Sequence, residues 1–319
     1  MRAFGIGLGL ALLGLGHHSP TPITCALATL SGSKRDEPVH WWVTDRAGGR
    51  IVALDEELFA QWVVTVPCPV GVARAEDGLW IVSVPGGGGH EGSVWNRLDA
   101  RSGLGDSRTM GEYAGIVGLS DGGALGLIGP APTREWIHLN RNGETLRRVD
   151  FPGAVHLAEI RGRVLVANGV GEVWSFGLDS EMSEAQHAQL GGTSRGVAPG
   201  PGGGWWWLGS NGELLLLHAD LSVRWRRWVG ERAACLDGDE KRVWVVPNDR
   251  SAAMCWDASG RPEGSFAMPH MGAKAARLTE SGGVLIALPG ALLELGPKGE
   301  LLRTQAGFDH LVSISDPGP

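Results

Sequence analysis

The feature that most constrains this chain is a unit of about forty residues that recurs to its C-terminus. It is plainest at Pro69–Asp99, PVGVARAEDGLWIVSVPGGGGHEGSVWNRLD. This reads as a strand of small residues (Val70–Ala75), an Asp77-Gly78 turn, an apolar strand (Leu79–Val84), a Gly-rich loop and a third strand (Ser93–Asp99), with a fourth near Ser107–Met110. A two-residue hairpin turn needs positive φ at its centre, which Asp-Gly supplies. Later copies turn at Asp121-Gly122-Gly123, Arg161-Gly162-Arg163, Pro201–Gly204, Gly238-Asp239 and Ser281-Gly282-Gly283. Their second strands begin near residues 41, 79, 124, 164, 205, 243 and 284, at intervals of 38 to 45 residues. That spacing is the length of a four-stranded propeller blade. No stretch after residue 28 carries a sustained 3.6-residue apolar period.

The ends are out of phase in a complementary way. The N-terminal part offers His40–Asp45, Arg50–Asp55 and Trp62–Val66 with no first strand. The C-terminal part offers one strand, His310–Ser315, followed by Asp316-Pro317-Gly318 where other units place their turn. Together they make one more blade. The expected fold is therefore all-β: a seven-bladed β-propeller of four-stranded blades, closed by a C-terminal innermost strand joining three N-terminal strands. Closure of this kind removes the exposed edges of an open array. One domain over 40–316 is expected, a monomer, with 29–39 a flexible lead-in.

Residues 1–28 read as a signal peptide. Arg2 precedes an apolar run, Ala3–Gly16, that is shorter than the ~20 residues a membrane span needs. The location implied is secreted or periplasmic, without a membrane span. A lipoprotein at Cys25 is the weaker reading, since Pro22-Ile23-Thr24 is a poor small-residue box. A net charge of −7 with only 20% charged residues argues against a nucleic-acid binder, which normally needs a basic face. Cys235 and Cys255 fall on the first and third strands of one unit, roughly 10 Å apart, too far for a disulfide; none is expected.

WVTDRAGGRIVALD at Trp42–Asp55 and PVGVARAEDGLWIV at Pro69–Val82 resemble the two halves of the NHL/YVTN-type propeller repeat. The second run is similar to that of the streptogramin (virginiamycin B) lyases, which are seven-bladed. That resemblance implies a His just before an innermost strand and a Glu at the end of the next. Pro269-His270 occupies the first place, but Leu288-Pro289 occupies the second, without a carboxylate. His270 is thus the one catalytic candidate, for an alternative reading as a lyase- or lactonase-type enzyme using a divalent metal. No H-x-H, C-x-x-C or close carboxylate pair with metal spacing occurs; no cofactor and no metal ligands are expected.

Other motifs read as structure. Gly118–Gly122 and Gly192–Gly196 match G-x-S-x-G but lack the strand-to-helix turn of a nucleophile elbow. Gly86–Gly89 precedes a strand, not the helix N-terminus of a phosphate cradle. Arg224-Trp225-Arg226-Arg227-Trp228 falls on an outermost strand, where charge guards the sheet edge. Trp41, Trp42, Trp80, Trp206 and Trp244 recur on second strands and Trp95, Trp136, Trp174 and Trp256 on third strands, as packing between blades.

In such a ring the fourth-to-first and second-to-third loops share one face around the channel mouth. They carry Asp45, Arg46, His90, Glu91, Tyr113, Arg134, Asn168, Arg232, Asn248, Asp249, Arg250, His270, Asp309 and His310. Converging polar groups over a central channel suit ligand binding. The function expected is an exported binding or interaction module whose partner at this face is a protein segment or a glycan.

Overall fold

The computed structural model describes residues 27–29, 38–76, 78–84, 92–99, 103–104 and 107–315. These form seven antiparallel sheets around an axis. From the innermost strand outwards, the first blade is Leu311–Ser315, Trp41–Asp45, Arg50–Leu54 and Ala60–Thr65. The second opens on Pro69–Ala75, the third on Tyr113–Gly118, the fourth on Ala154–Ile160 and the fifth on Ser194–Pro199. The sixth opens on Ala233–Gly238 and the seventh on Ala275–Leu278. Each innermost strand touches its neighbours, including the seventh against the first, so the ring is closed. Fold class, blade count and mode of closure are those read from the repeats. Among the described residues no helix is long and apolar enough to cross a membrane.

Two details differ from the repeat pattern. The outer edge of the second blade is two short pieces, Gly103–Leu104 and Arg108–Met110, paired to opposite ends of Ser93–Asp99. The first blade carries a fifth strand, Leu27–Thr29, antiparallel to Ala60–Thr65. The rest of the expected leader, and residues 30–37 of the expected lead-in, lie outside the described residues, as does Cys25. Cys68, Cys235 and Cys255 are free thiols.

Seven apolar clusters fill the seven wedges between blades in place of one central core. Second strands are apolar on both faces because each is sandwiched by two neighbouring sheets; Trp205–Gly209 and Val284–Leu288 are buried throughout. Three of the recurring tryptophans also hold blade to blade. The indole N–H of Trp80 donates to Gly122 O (3.2 Å), that of Trp206 to Asp239 O (2.9 Å) and that of Trp244 to Gly282 O (3.2 Å), each in the first turn of the next blade.

Closure rests on one carboxylate. Asp45, at the end of its strand and fully buried, accepts hydrogen bonds from His310 N (2.8 Å), Asp309 N (3.1 Å) and Gly48 N (3.2 Å). Arg50 completes the set with an ion pair at 2.9 Å. Burial pushes the Asp45 carboxyl up, but these donors more than reverse that and hold it below the usual carboxylate range.

Candidate functional site: the axial channel

The innermost strands share an irregularity that shapes the axis. In six blades the ladder to the second strand skips one residue: Val70, Ala114, Val155, Arg195, Ala234 and, in the closing strand, Val312. A bulge of this kind bends the strand and re-aims the side chains that follow. The residues after it are Gly71, Gly115, His156, Gly196, Cys235 and Ser313, and Ala275 holds the same pairing in the seventh blade. All are small but His156. The axis is left open as a channel of about 780 Å³.

His156 Nε2 lies 3.2 Å from Ser194 O. A carbonyl only accepts, so Nε2 carries the proton and Nδ1 keeps its lone pair. Part of the ring is uncovered, but only toward the channel between the innermost strands. Desolvation therefore dominates; with help from the Arg195 and Arg134 charges, and against the bond to Ser194, it brings the imidazole pKa down to about 4. The Tyr113 hydroxyl packs against Gly71, where a Cβ would lie 2.2 Å from its oxygen, so only glycine fits there. Burial raises the pKa of the phenol, and Arg277 only partly offsets that. The Cys235 thiol is pushed up to about 12 by burial and then by Asp237, so it is no nucleophile at neutral pH. All three groups are neutral hydrogen-bonding groups in the channel wall.

Charge sits at the two ends. Arg195 and Lys274, both exposed, line the channel at the N-terminal ends of their innermost strands. At the other end Asp237 accepts from Leu278 N (2.7 Å) and pairs with Arg277 (3.4 Å), whose Nε donates to Ile314 O (3.2 Å). Arg74 N donates to Ser315 Oγ (2.9 Å). That end is cross-braced between blades, whereas the end with the fourth-to-first loops is the one with exposed cations.

Since a neutral His156 must gain a proton on unfolding, stability should fall as pH drops from about 6.5 towards the folded value of about 4. In that window the unfolded chain binds more protons. His156→Gln, which keeps a donor for Ser194 O, is expected to flatten the Tm–pH curve there; an unchanged slope would refute the assignment.

Among the described loop-face residues singled out from sequence, only Tyr113 lines the channel. Asp45, Asp309 and His310 meet in the latch, where Arg46 N also donates to His310 O (2.9 Å). Asn168 is buried and shapes its own hairpin, bonding Glu172 Oε2 (2.6 Å) and Val170 N (3.0 Å). Arg134 donates to Ala154 O and to Gly129 O (3.3 Å). Asn248, Arg250 and His270 are exposed rim residues; Asn248 N bonds Arg232 O (2.7 Å) and its carbonyl accepts from Gly272 N (3.1 Å). Asp249 binds Ser251 N (2.8 Å). No hydrogen bond joins His270 to a carboxylate among the described residues. His90 and Glu91 lie outside them.

His156, Cys235, Arg195 and Lys274 were not singled out from sequence. The available signal was a histidine at the fourth-blade position where three other copies have glycine.

The chain is therefore a seven-bladed β-propeller with an open axial channel. No family model matches it, and no curated protein matches it. Among solved structures it is similar to apo AztD from Citrobacter koseri (11% identity, TM-score 0.53, covering 87% of this chain and 88% of that one). It is also similar to a protein of unknown function from Bacteroides caccae (13%, 0.56, 88% and 98%). A third is the Neurospora crassa Pan2 WD40 domain (10%, 0.56, 76% and 79%). At these identities the likeness is one of fold alone.

Proposed function

We propose that the chain is an exported binding module that takes a protein segment or a glycan at the loop-rich mouth of its channel. The observation that carries this reading is the bulge register. Small residues hold the axis open, and three polar groups of its wall, His156, Tyr113 and Cys235, are neutral and suited to hydrogen bonding more than to proton transfer. Apolar wall residues such as Val72, Ile116, Leu157 and Leu236 supply the contact area a ligand needs. The leader-like sequence of residues 1–28 supports export.

Arg195 and Lys274 give the test, being exposed and outside every apolar cluster. A phage-displayed peptide library and an immobilised glycan array should each be selected on the wild-type protein. At least one ligand so enriched is expected to bind Arg195→Glu/Lys274→Glu at least tenfold more weakly, with Tm unchanged. No enrichment in either selection, or equal binding of every enriched ligand by the double variant, would refute the channel-mouth reading. N-terminal sequencing of exported protein checks the leader.

A further inference from the structure

Strand Val223–Trp228, outermost in the fifth blade, holds the Arg-Trp run, and packing accounts for most of it. Trp225 lies edge-on to Trp206 (5.5 Å, 63°), and its indole N–H donates to Ala258 O (3.1 Å). Arg227 sits over Trp225 at 5.5 Å, and Arg226 pairs with Glu213 at 3.3 Å. Trp228 is left 69% exposed. So large an apolar surface in water points to a binding role when a recess adjoins it. Here one does: Trp228 borders a pocket of about 300 Å³ between the fifth and sixth blades, with Glu231, Arg232, Pro247 and Met254 in its wall.

The pocket is preformed. Its wall is pinned by Val229 N to Gly212 O (2.7 Å), Ala233 N to Gly230 O (3.2 Å) and Asn248 N to Arg232 O (2.7 Å). Gly230 turns the chain at φ +103 with nothing near its missing Cβ. The Glu231 and Arg232 side chains make no hydrogen bond among the described residues.

Charge then selects the ligand class. Arg232 stands beside the Ser251-bound Asp249, whose pKa it helps those bonds to lower, and Glu231 precedes it in the same pocket wall. A phosphate or carboxylate end would meet more negative than positive charge, and a cation would meet the guanidinium. A neutral ring fits, with an apolar face on the indole, hydroxyls donating to Glu231 and ring or hydroxyl oxygens accepting from Arg232.

We propose that this pocket is a saccharide subsite, with Trp228 as stacking platform and Glu231 and Arg232 as its hydrogen-bonding rim. The proposal rests on the reading of the loop-rich face as the ligand surface. The test is calorimetric titration with maltohexaose, cellohexaose, chitohexaose and xylohexaose. At least one is expected to bind the wild type, at least tenfold more weakly to Trp228→Ala and several-fold more weakly to Glu231→Gln, with Tm unchanged. Leu146→Ala, an exposed apolar residue on the outermost strand of the third blade, should bind it as the wild type does. Binding kept by Trp228→Ala but lost in Arg195→Glu/Lys274→Glu would overturn the pocket while leaving the channel-mouth reading intact. Binding of none of the four, or Trp228-dependent binding of a Lys-rich peptide instead, would also overturn the subsite; the peptide-library selection tests the channel mouth independently.

Discussion

Asp45→Ala is expected to destabilise the ring by about 3–5 kcal/mol, since each N–H group left without its acceptor there costs about 1–3 kcal/mol. For a domain of this size that is a fall in Tm of roughly 10 °C or more. The size follows from what the carboxylate holds. Its loss strands the N–H groups of Gly48, Asp309 and His310 and the Arg50 guanidinium, and two of those N–H groups belong to the segment that brings in the closing strand. Asp45→Asn keeps an acceptor oxygen and should lose less. The same side chain predicts an acid limb. Its folded pKa lies below the ordinary aspartate value, so between about 4 and that lower value the unfolded chain binds more protons. Stability rises with pH through this window, is complete above it, and is lost on acidification. The alanine variant should lack that limb while keeping the one assigned to His156 at higher pH. Thermal melts followed by circular dichroism across pH decide it; an unaltered Tm at pH 7 would show that the latch does not hold the ring.

The strands and their count are legible because the turns between first and second strands repeat with Gly at fixed places, and because the two ends of the sequence are out of phase. Closure could thus be read from the lone C-terminal strand His310–Ser315 set against the three N-terminal strands that lack a first. The channel wall is less legible. Alternation along an innermost strand does not reveal the skipped residue, and a bulge at Val155 or Arg195 changes which side chain faces the axis. Loop position also says little about role. Asp45 sits at a loop-face strand end like a ligand-binding residue, yet the groups around it are backbone N–H donors from the far end of the chain. What distinguishes it is tertiary, and no local pattern carries that.

The tryptophans show the same limit within one blade, and give the second large effect. Trp206 is fully buried in the wedge with Leu208, Leu214 and Leu236, and its N–H reaches Asp239 O at 2.9 Å. Trp206→Ala is expected to cost about 3–5 kcal/mol, transfer and cavity terms together, or again roughly 10 °C in Tm. The wedge between two twisted sheets cannot collapse without pulling strands out of register, which puts the site at the upper end of that range. Trp206→Phe refills most of the volume but leaves Asp239 O without its donor. Its loss should be about half as large, with the hydrogen bond contributing ~1 kcal/mol. Trp228→Ala, in the same blade and equally prominent in the sequence, should leave Tm unchanged because that ring is already in water. Denaturation curves of these three variants beside the wild type test the ordering. If Trp206→Ala melts with the wild type, the inter-blade wedges are not what holds the blades together, and the repeated indole-to-turn bonds are incidental to the ring.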